Sequence, residues 1–187
     1  MHKYLILLFL AFSTFIIQGH SQTPSMKWSA GPEIQVYPTG WMPGVRIQKG
    51  IDAYSFVSFR IAANIFDHRD LGVQEKEKGN GLGFSLGYHR NIIKNNDHLI
   101  LGIKSDFWWN SNDWENSPGS GKPISGTSDI VVIQPTAELG YLIGSKENKF
   151  NLIPSIAFGF EINVETKGEP VGEGLILLLG LQGLFSF

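Results

Sequence analysis

"GLILLLGLQGLFSF", residues 174–187, is the most apolar part of the sequence beyond its N-terminal region, and two periodicities compete for it. A membrane-spanning helix needs roughly 20 consecutive apolar residues. This run is shorter and carries Gly174, Gly180 and Gly183, which are poor helix formers. At a period of two it separates into two faces. Leu175, Leu177, Leu179, Leu181, Gly183, Phe185 and Phe187 fall on one side, and Leu178, Gly180, Gln182, Leu184 and Ser186 on the other. The segment therefore reads as a β-strand, apolar on one side and mixed on the other, and the fold turns on where the apolar side points.

The preceding sequence is built the same way. "GLGFSLGYHR" (residues 81–90) alternates Leu82, Phe84, Leu86 and Tyr88 with Gly81, Gly83, Ser85, Gly87 and His89. "SFVSFRIAANIF" (55–66) sets Val57, Phe59, Ile61, Ala63 and Ile65 against Ser58, Arg60, Ala62 and Asn64. Similar alternation begins at Trp28, Val45, Leu99, Ile133 and Phe150, which with the terminal run makes eight strands and no convincing amphipathic helix after the first residues. Connections after strands two, four and six are short and rich in Asn, Asp, Lys and Gly, as hairpin turns are. Those after strands three, five and seven read as long polar loops, the longest over about residues 110–128. The first connection, "YPTGWMPG", is shorter. The pattern predicts an all-β, eight-stranded antiparallel up-and-down barrel with turns at one end and most long loops at the other.

Composition narrows the class. Of 187 residues, 17% are charged, below the about 25% of ordinary soluble domains, and there are 22 glycines and no cysteine. A disulfide framework, a thiolate metal site and a lipid-modified cysteine are excluded. Residues 1–21 combine Lys3, an apolar run over 4–17 and the small residues Gly19 and Ser21, which predicts a cleaved export signal with processing near Ser21 and Gln22. Residues 22–187 then form a single barrel domain. The net charge is −2, with no basic patch to suggest nucleic acid.

Two closed barrels share such a pattern. A soluble ligand carrier of lipocalin type turns its apolar face inward, and a membrane barrel turns it outward. The polar face here is largely Gly, Ser, Asn, Gln and Ala with scattered single charges, which suits a cramped lumen better than a water-facing wall. Aromatics at the expected strand ends, Trp28, Tyr88, Phe107, Trp109, Tyr141, Phe150 and Phe187, fit interfacial girdles. Pro32, Pro135 and Pro154 fall on the apolar face and count against regular pairing there. The expectation is a membrane barrel; the alternative is an exported soluble barrel with an apolar ligand.

The export signal, the eight alternating strands and the ending "GLFSF" resemble the small outer-membrane barrels of OmpA/OmpX type, and the Gln after the signal resembles outer-membrane β-barrel domains of Bacteroidetes. The resemblance implies insertion into the bacterial outer membrane and a structural or surface-interaction role without an open pore. It also implies that Phe185 and Phe187 form the C-terminal signal read by the barrel assembly machinery. Outer-membrane lipid, and an envelope protein or surface glycan, are the partners implied.

Chemistry is sparse. The inward face carries Glu33, Arg46, Arg60, Lys104, Asp106, Glu138 and Glu161, three bases and four acids expected to pair inside a narrow barrel. His89 and Ser85 share one strand face, but four residues at roughly 3.3 Å each separate them by about 13 Å, too far for a base and its nucleophile. No catalytic residue, cofactor or metal site is expected. Trp108, Trp109 and Trp114, among Asn110, Asn112, Asp113 and Asn116, form a candidate sugar-stacking set, with Trp114 expected in a loop; for Trp108 and Trp109 interfacial anchoring is the favoured alternative.

Overall fold

The computed structural model describes residues 27–70, 72–93, 96–117, 122–144 and 148–187; the expected export signal lies outside the described residues. Eight strands follow in order: β1 (Trp28–Tyr37), β2 (Gly40–Gly50), β3 (Ser55–Arg69), β4 (Lys76–Ile93), β5 (Asn96–Asn116), β6 (Ile124–Tyr141), β7 (Phe150–Lys167) and β8 (Gly174–Ser186). Each pairs antiparallel with its sequence neighbours, and β8 pairs with β1 to close the barrel. Phe187 N donates to Trp28 O at 2.9 Å and Trp28 N to Phe187 O at 3.2 Å, so the terminal residue is stitched into the seam. Closure leaves no long free edge along the barrel wall.

The two faces separate as the alternation requires. Leu82, Val45 and Leu175 on the outer face are 67%, 63% and 61% exposed, and outward Leu, Ile, Val and Phe on every strand are exposed or half-buried. The inward Glu33, Arg46, Arg60, Asp106 and Gln134 are buried. Gaps in the interior are filled by pairing large side chains with glycines. Trp108 lies over Gly83 of β4 and Trp114 over Gly126 of β6, places a Cβ would occupy. Two inward apolar clusters bracket the polar centre. Met42, Trp108, Val132 and Leu178 lie on one side of it, and Ile100, Leu142, Ile153 and Leu184 on the other.

The prolines are accommodated without breaking the ring. Pro32 sits in a two-residue gap of the β1–β8 ladder, between the pairs Ala30–Phe185 and Glu33–Gln182, with no change of register. Pro135 sits in a similar gap between Ile133–Ile162 and Thr136–Gly159, and Pro154 lies one residue past the last β6–β7 pair, Gly140–Ser155. A proline lacks a donor on one side only, and each keeps its place in the ladder on the other, opposite Val45, Ser105 and Leu181.

The expected long loops are corrected. Strand β5 runs on to Asn116 and β6 begins at Ile124, so most of 110–128 is wall, paired residue for residue from Asn110–Ile130 to Asn116–Ile124. Trp114 is therefore a strand residue. The segment after strand three likewise shortens to residues 70–75. Phe107, expected at a strand end, is mid-strand and stacks on Phe84 at 4.9 Å. The walls rise unevenly, from 10 residues in β1 to 21 in β5. Proteinase K acting on the folded protein should cut within 117–123, where Ser117, Lys122 and Pro123 are exposed, and spare 110–116 and 124–128. Fragments mapped by mass spectrometry that end between 110 and 116 would show those strand extensions to be open.

Candidate functional site

The buried charges form two groups at different heights. In the central one, Arg46 from β2 grips Glu33 from β1 through two nitrogens: Nε donates to Oε2, and Nη2 donates to Oε1 at 3.0 Å. This fork-to-fork geometry is the strongest arrangement for such a pair. Arg46 Nη2 also lies 3.8 Å from Glu138 of β6. Arg60, one strand over, donates to Gln35 Oε1 at 2.6 Å and to Met42 O at 3.0 Å, and stands 3.5 Å from Glu33 and 3.6 Å from Asp106. Its guanidinium lies 5.8 Å from the Trp108 ring centroid. Lys104 completes the group, 3.3 Å from Asp106 and donating to Gln35 at 2.9 Å. Six of the seven expected residues meet here, three cations with three carboxylates.

Glu161, the seventh, belongs elsewhere. It accepts from Arg69 Nη1 at 2.7 Å, while Arg69 Nε donates to Glu77 at 3.1 Å and Nη2 to Gly172 O at 3.0 Å. Gly172 N in turn donates to Glu77 Oε1 at 2.8 Å. Both polar groups of Gly172 are thus held by side chains of β3 and β4, and Val171 beside it is buried in the apolar cluster. The connection 168–173 is drawn inward across the end of the barrel. Arg69 and Glu77 fell within an expected loop, and no signal in one sequence distinguishes a clamp from a solvated charge run.

His89 gains a partner that its own strand could not supply. Ser58 of β3 places Oγ 2.9 Å from Nε2, and Glu138 Oε1 lies 3.8 Å from Nδ1. The order is that of a nucleophile, base and acid, but the surroundings oppose the chemistry. Arg46 Nη1 lies 3.3 Å from the same Nε2 and competes for the one lone pair that would take the serine proton. Phe56 stacks on the imidazole at 4.8 Å, and Ser58 and His89 are both buried.

The three tryptophans do not share a surface. Trp108 points inward, 1% exposed, and donates to Gln134 at 3.2 Å. Trp114 is half-buried over Gly126 and donates to Ser128 at 3.2 Å. Trp109 alone faces outward, 54% exposed. This corrects the expectation of one stacking set. Phe185 and Phe187 are both exposed on the outer face of the closing strand, and Phe185 packs on Phe150 at 4.9 Å.

A charged, filled interior inside an apolar wall inverts the layout of a soluble domain. The fold is a closed eight-stranded antiparallel β-barrel with its apolar face outward. No family model matches the sequence, and comparison with curated proteins finds no relative. Among solved structures, the chain is similar to the N-terminal β-barrel domain of Pseudomonas aeruginosa OprF, at 16% identity over 86% of this chain and 97% of that one, with a TM-score of 0.46. It is also similar to a de novo designed transmembrane β-barrel, at 13% identity over 90% of this chain and 100% of that one, with a TM-score of 0.40.

Removing one partner of a buried pair leaves the other charge uncompensated, at about 3–5 kcal/mol, while replacing both by apolar groups is often close to neutral. Arg46→Leu should therefore destabilise the barrel by about that amount, and Glu33→Leu with Arg46→Leu by much less than the sum of the single changes. Urea unfolding of the three variants in vesicles measures the cycle. Additive losses would deny that Arg46 and Glu33 form one interacting pair.

Proposed function

We propose that the mature chain is an integral protein of a bacterial outer membrane, non-enzymatic and without an open pore, whose outer surface makes structural or recognition contacts. The observation that carries this reading is the inversion of faces: charged residues are buried at the centre and Leu, Ile, Val and Phe are exposed on the wall. Soluble monomers rarely expose contiguous apolar patches beyond a few hundred Å², and this one encircles the molecule. The alternative of a soluble carrier needs an apolar interior, and the charges of Arg46, Glu33, Arg60, Asp106 and Lys104 occupy that space. The interior is filled by the barrel's own buried side chains, Arg46, Arg60, Gln134 and Trp108 among them, which supports a closed lumen.

Partners follow from the same reading. Lipid covers the wall, and the C-terminal aromatics Phe185 and Phe187 are the segment presented to the barrel assembly machinery. Deleting Phe187 should lower outer-membrane levels in cells while refolding into micelles, where no machinery acts, stays nearly normal. Unchanged membrane levels on immunoblots of fractionated cells would remove the address role.

The membrane reading has its own test. The mature protein should stay with membranes through carbonate washing and migrate differently on gels when unheated; recovery as a soluble monomer would end the reading. Leu86→Arg on the outer face should cost about 2–4 kcal/mol in vesicle unfolding, the penalty of an arginine near the midplane of a barrel's lipid face. Ser111→Arg, higher on the same wall, should cost about 0–1 kcal/mol. Equal costs for the two variants would place the bilayer elsewhere.

A further inference from the structure

The outer wall changes character across rows of side chains that run unbroken over four strands. One row is Phe84, Phe107, Ile133 and Ile162, paired from β4 to β7 and wholly apolar. The next is Leu82, Trp109, Val131 and Glu165, and the one above it is Asn80, Ser111, Asp129 and Lys167, wholly polar. Across these rows the wall passes from apolar to polar side chains, with the exposed Trp109 in the middle one.

Glu165 and Lys167 reach this face because of a backbone irregularity. The β6–β7 register shifts between Val131 and Val132. An unbroken register would set Val164 opposite Val131 and Thr166 opposite Asp129. The shift replaces them with a carboxylate and an ammonium, 3.4 Å apart. Bulges of this kind re-aim side chains next to functional sites. The two rows line a shallow, open depression of about 430 Å³.

We propose that this depression binds the headgroup of a neutral glycolipid. The C–H face of a sugar stacks on Trp109, its hydroxyls donate to Asp129 and bond to Asn80 and Ser111, and the acyl chains run along Phe84, Phe107, Ile133 and Ile162. Charge selects this occupant. Two carboxylates, Asp129 and Glu165, outnumber the single cation Lys167, which is already paired, so a polyanionic headgroup meets a net negative rim. Uncharged hydroxyls suit the same acceptors. The inference rests on the membrane-barrel reading and adds a ligand class to it. Trp41 of β2, 45% exposed on the outer wall, serves as a comparison: its outward neighbours across the strands, Val36 and Ile65, offer no polar partner for a sugar.

The test uses the mature protein in mixed micelles with monoglucosyl diacylglycerol, phosphatidylethanolamine and phosphatidylglycerol in equal amounts, with retained lipid identified by native mass spectrometry. The parent should retain the glucolipid about tenfold over either phospholipid, and Trp109→Ala and Asp129→Asn should each remove about that preference. Trp41→Ala should keep it. No preference in the parent, a preference for phosphatidylglycerol, or equal losses from Trp41→Ala and Trp109→Ala would overturn the proposal, the last because it would make Trp109 an interfacial anchor only. Gel migration of each unheated sample reads insertion separately. A parent that shows the folded shift without glucolipid preference defeats this site alone, whereas a parent without the shift defeats the membrane reading and the site with it.

Discussion

A ring of eight strands encloses a space only about two side chains across, and every inward residue must be reconciled with those on the opposite wall. That constraint orders the interior. The large inward residues of one strand lie against glycines of the next, as Trp108 does over Gly83 and Trp114 over Gly126. Charges cannot spread out or find water, so they meet in balance: Arg46, Arg60 and Lys104 with Glu33, Asp106 and Glu138. The carboxylate that would upset this balance, Glu161, is removed to Arg69. Electrostatic neutrality at the centre is thus a consequence of circumference.

The same constraint reverses the usual division of labour between core and surface. In a soluble domain apolar burial drives folding and polar groups tolerate it. Here the described interior combines ion pairs and amide contacts, such as Gln35 with Arg60 and Lys104, with two apolar clusters, and much apolar area faces out. Buried ion pairs often contribute little net stability relative to apolar replacements. Their value in this barrel lies in specificity. A one-residue slip of a strand would turn its outward apolar residues inside and its inward polar residues onto the apolar wall.

Much of this was legible in the sequence, within a definite limit. Alternation assigned the faces of all eight strands because the outward side of each is apolar along most of its length. The signal fades where both faces carry polar residues, as with the buried Asn110 and Asn112 beside the exposed Ser111 and Asp113, so 110–116 and 124–128 read as loop although they are paired strand. Position along a strand could be counted, but partners across strands could not. Ser58 beside His89 and Arg69 beside Glu161 depend on register, which no single sequence prints. Trp108 and Trp109 show the reverse error. Adjacent in sequence and alike in chemistry, they invite a common role, yet a pleated strand sends them to opposite sides of the wall.

The clamp on Gly172 bears on the order in which the molecule assembles. Its two hydrogen bonds join positions 103 and 95 residues apart, whereas adjacent hairpins pair segments separated by a short turn. Contacts of such separation carry a high loop-closure cost until the intervening chain is organised. The clamp cannot form until β3 and β4 have presented Arg69 and Glu77 and the β7–β8 hairpin has delivered the glycine. The mouth therefore closes only after both hairpins are in place, while the β1–β8 seam, whose partners Ser29 and Ser186 lie 157 residues apart, carries a longer closure still.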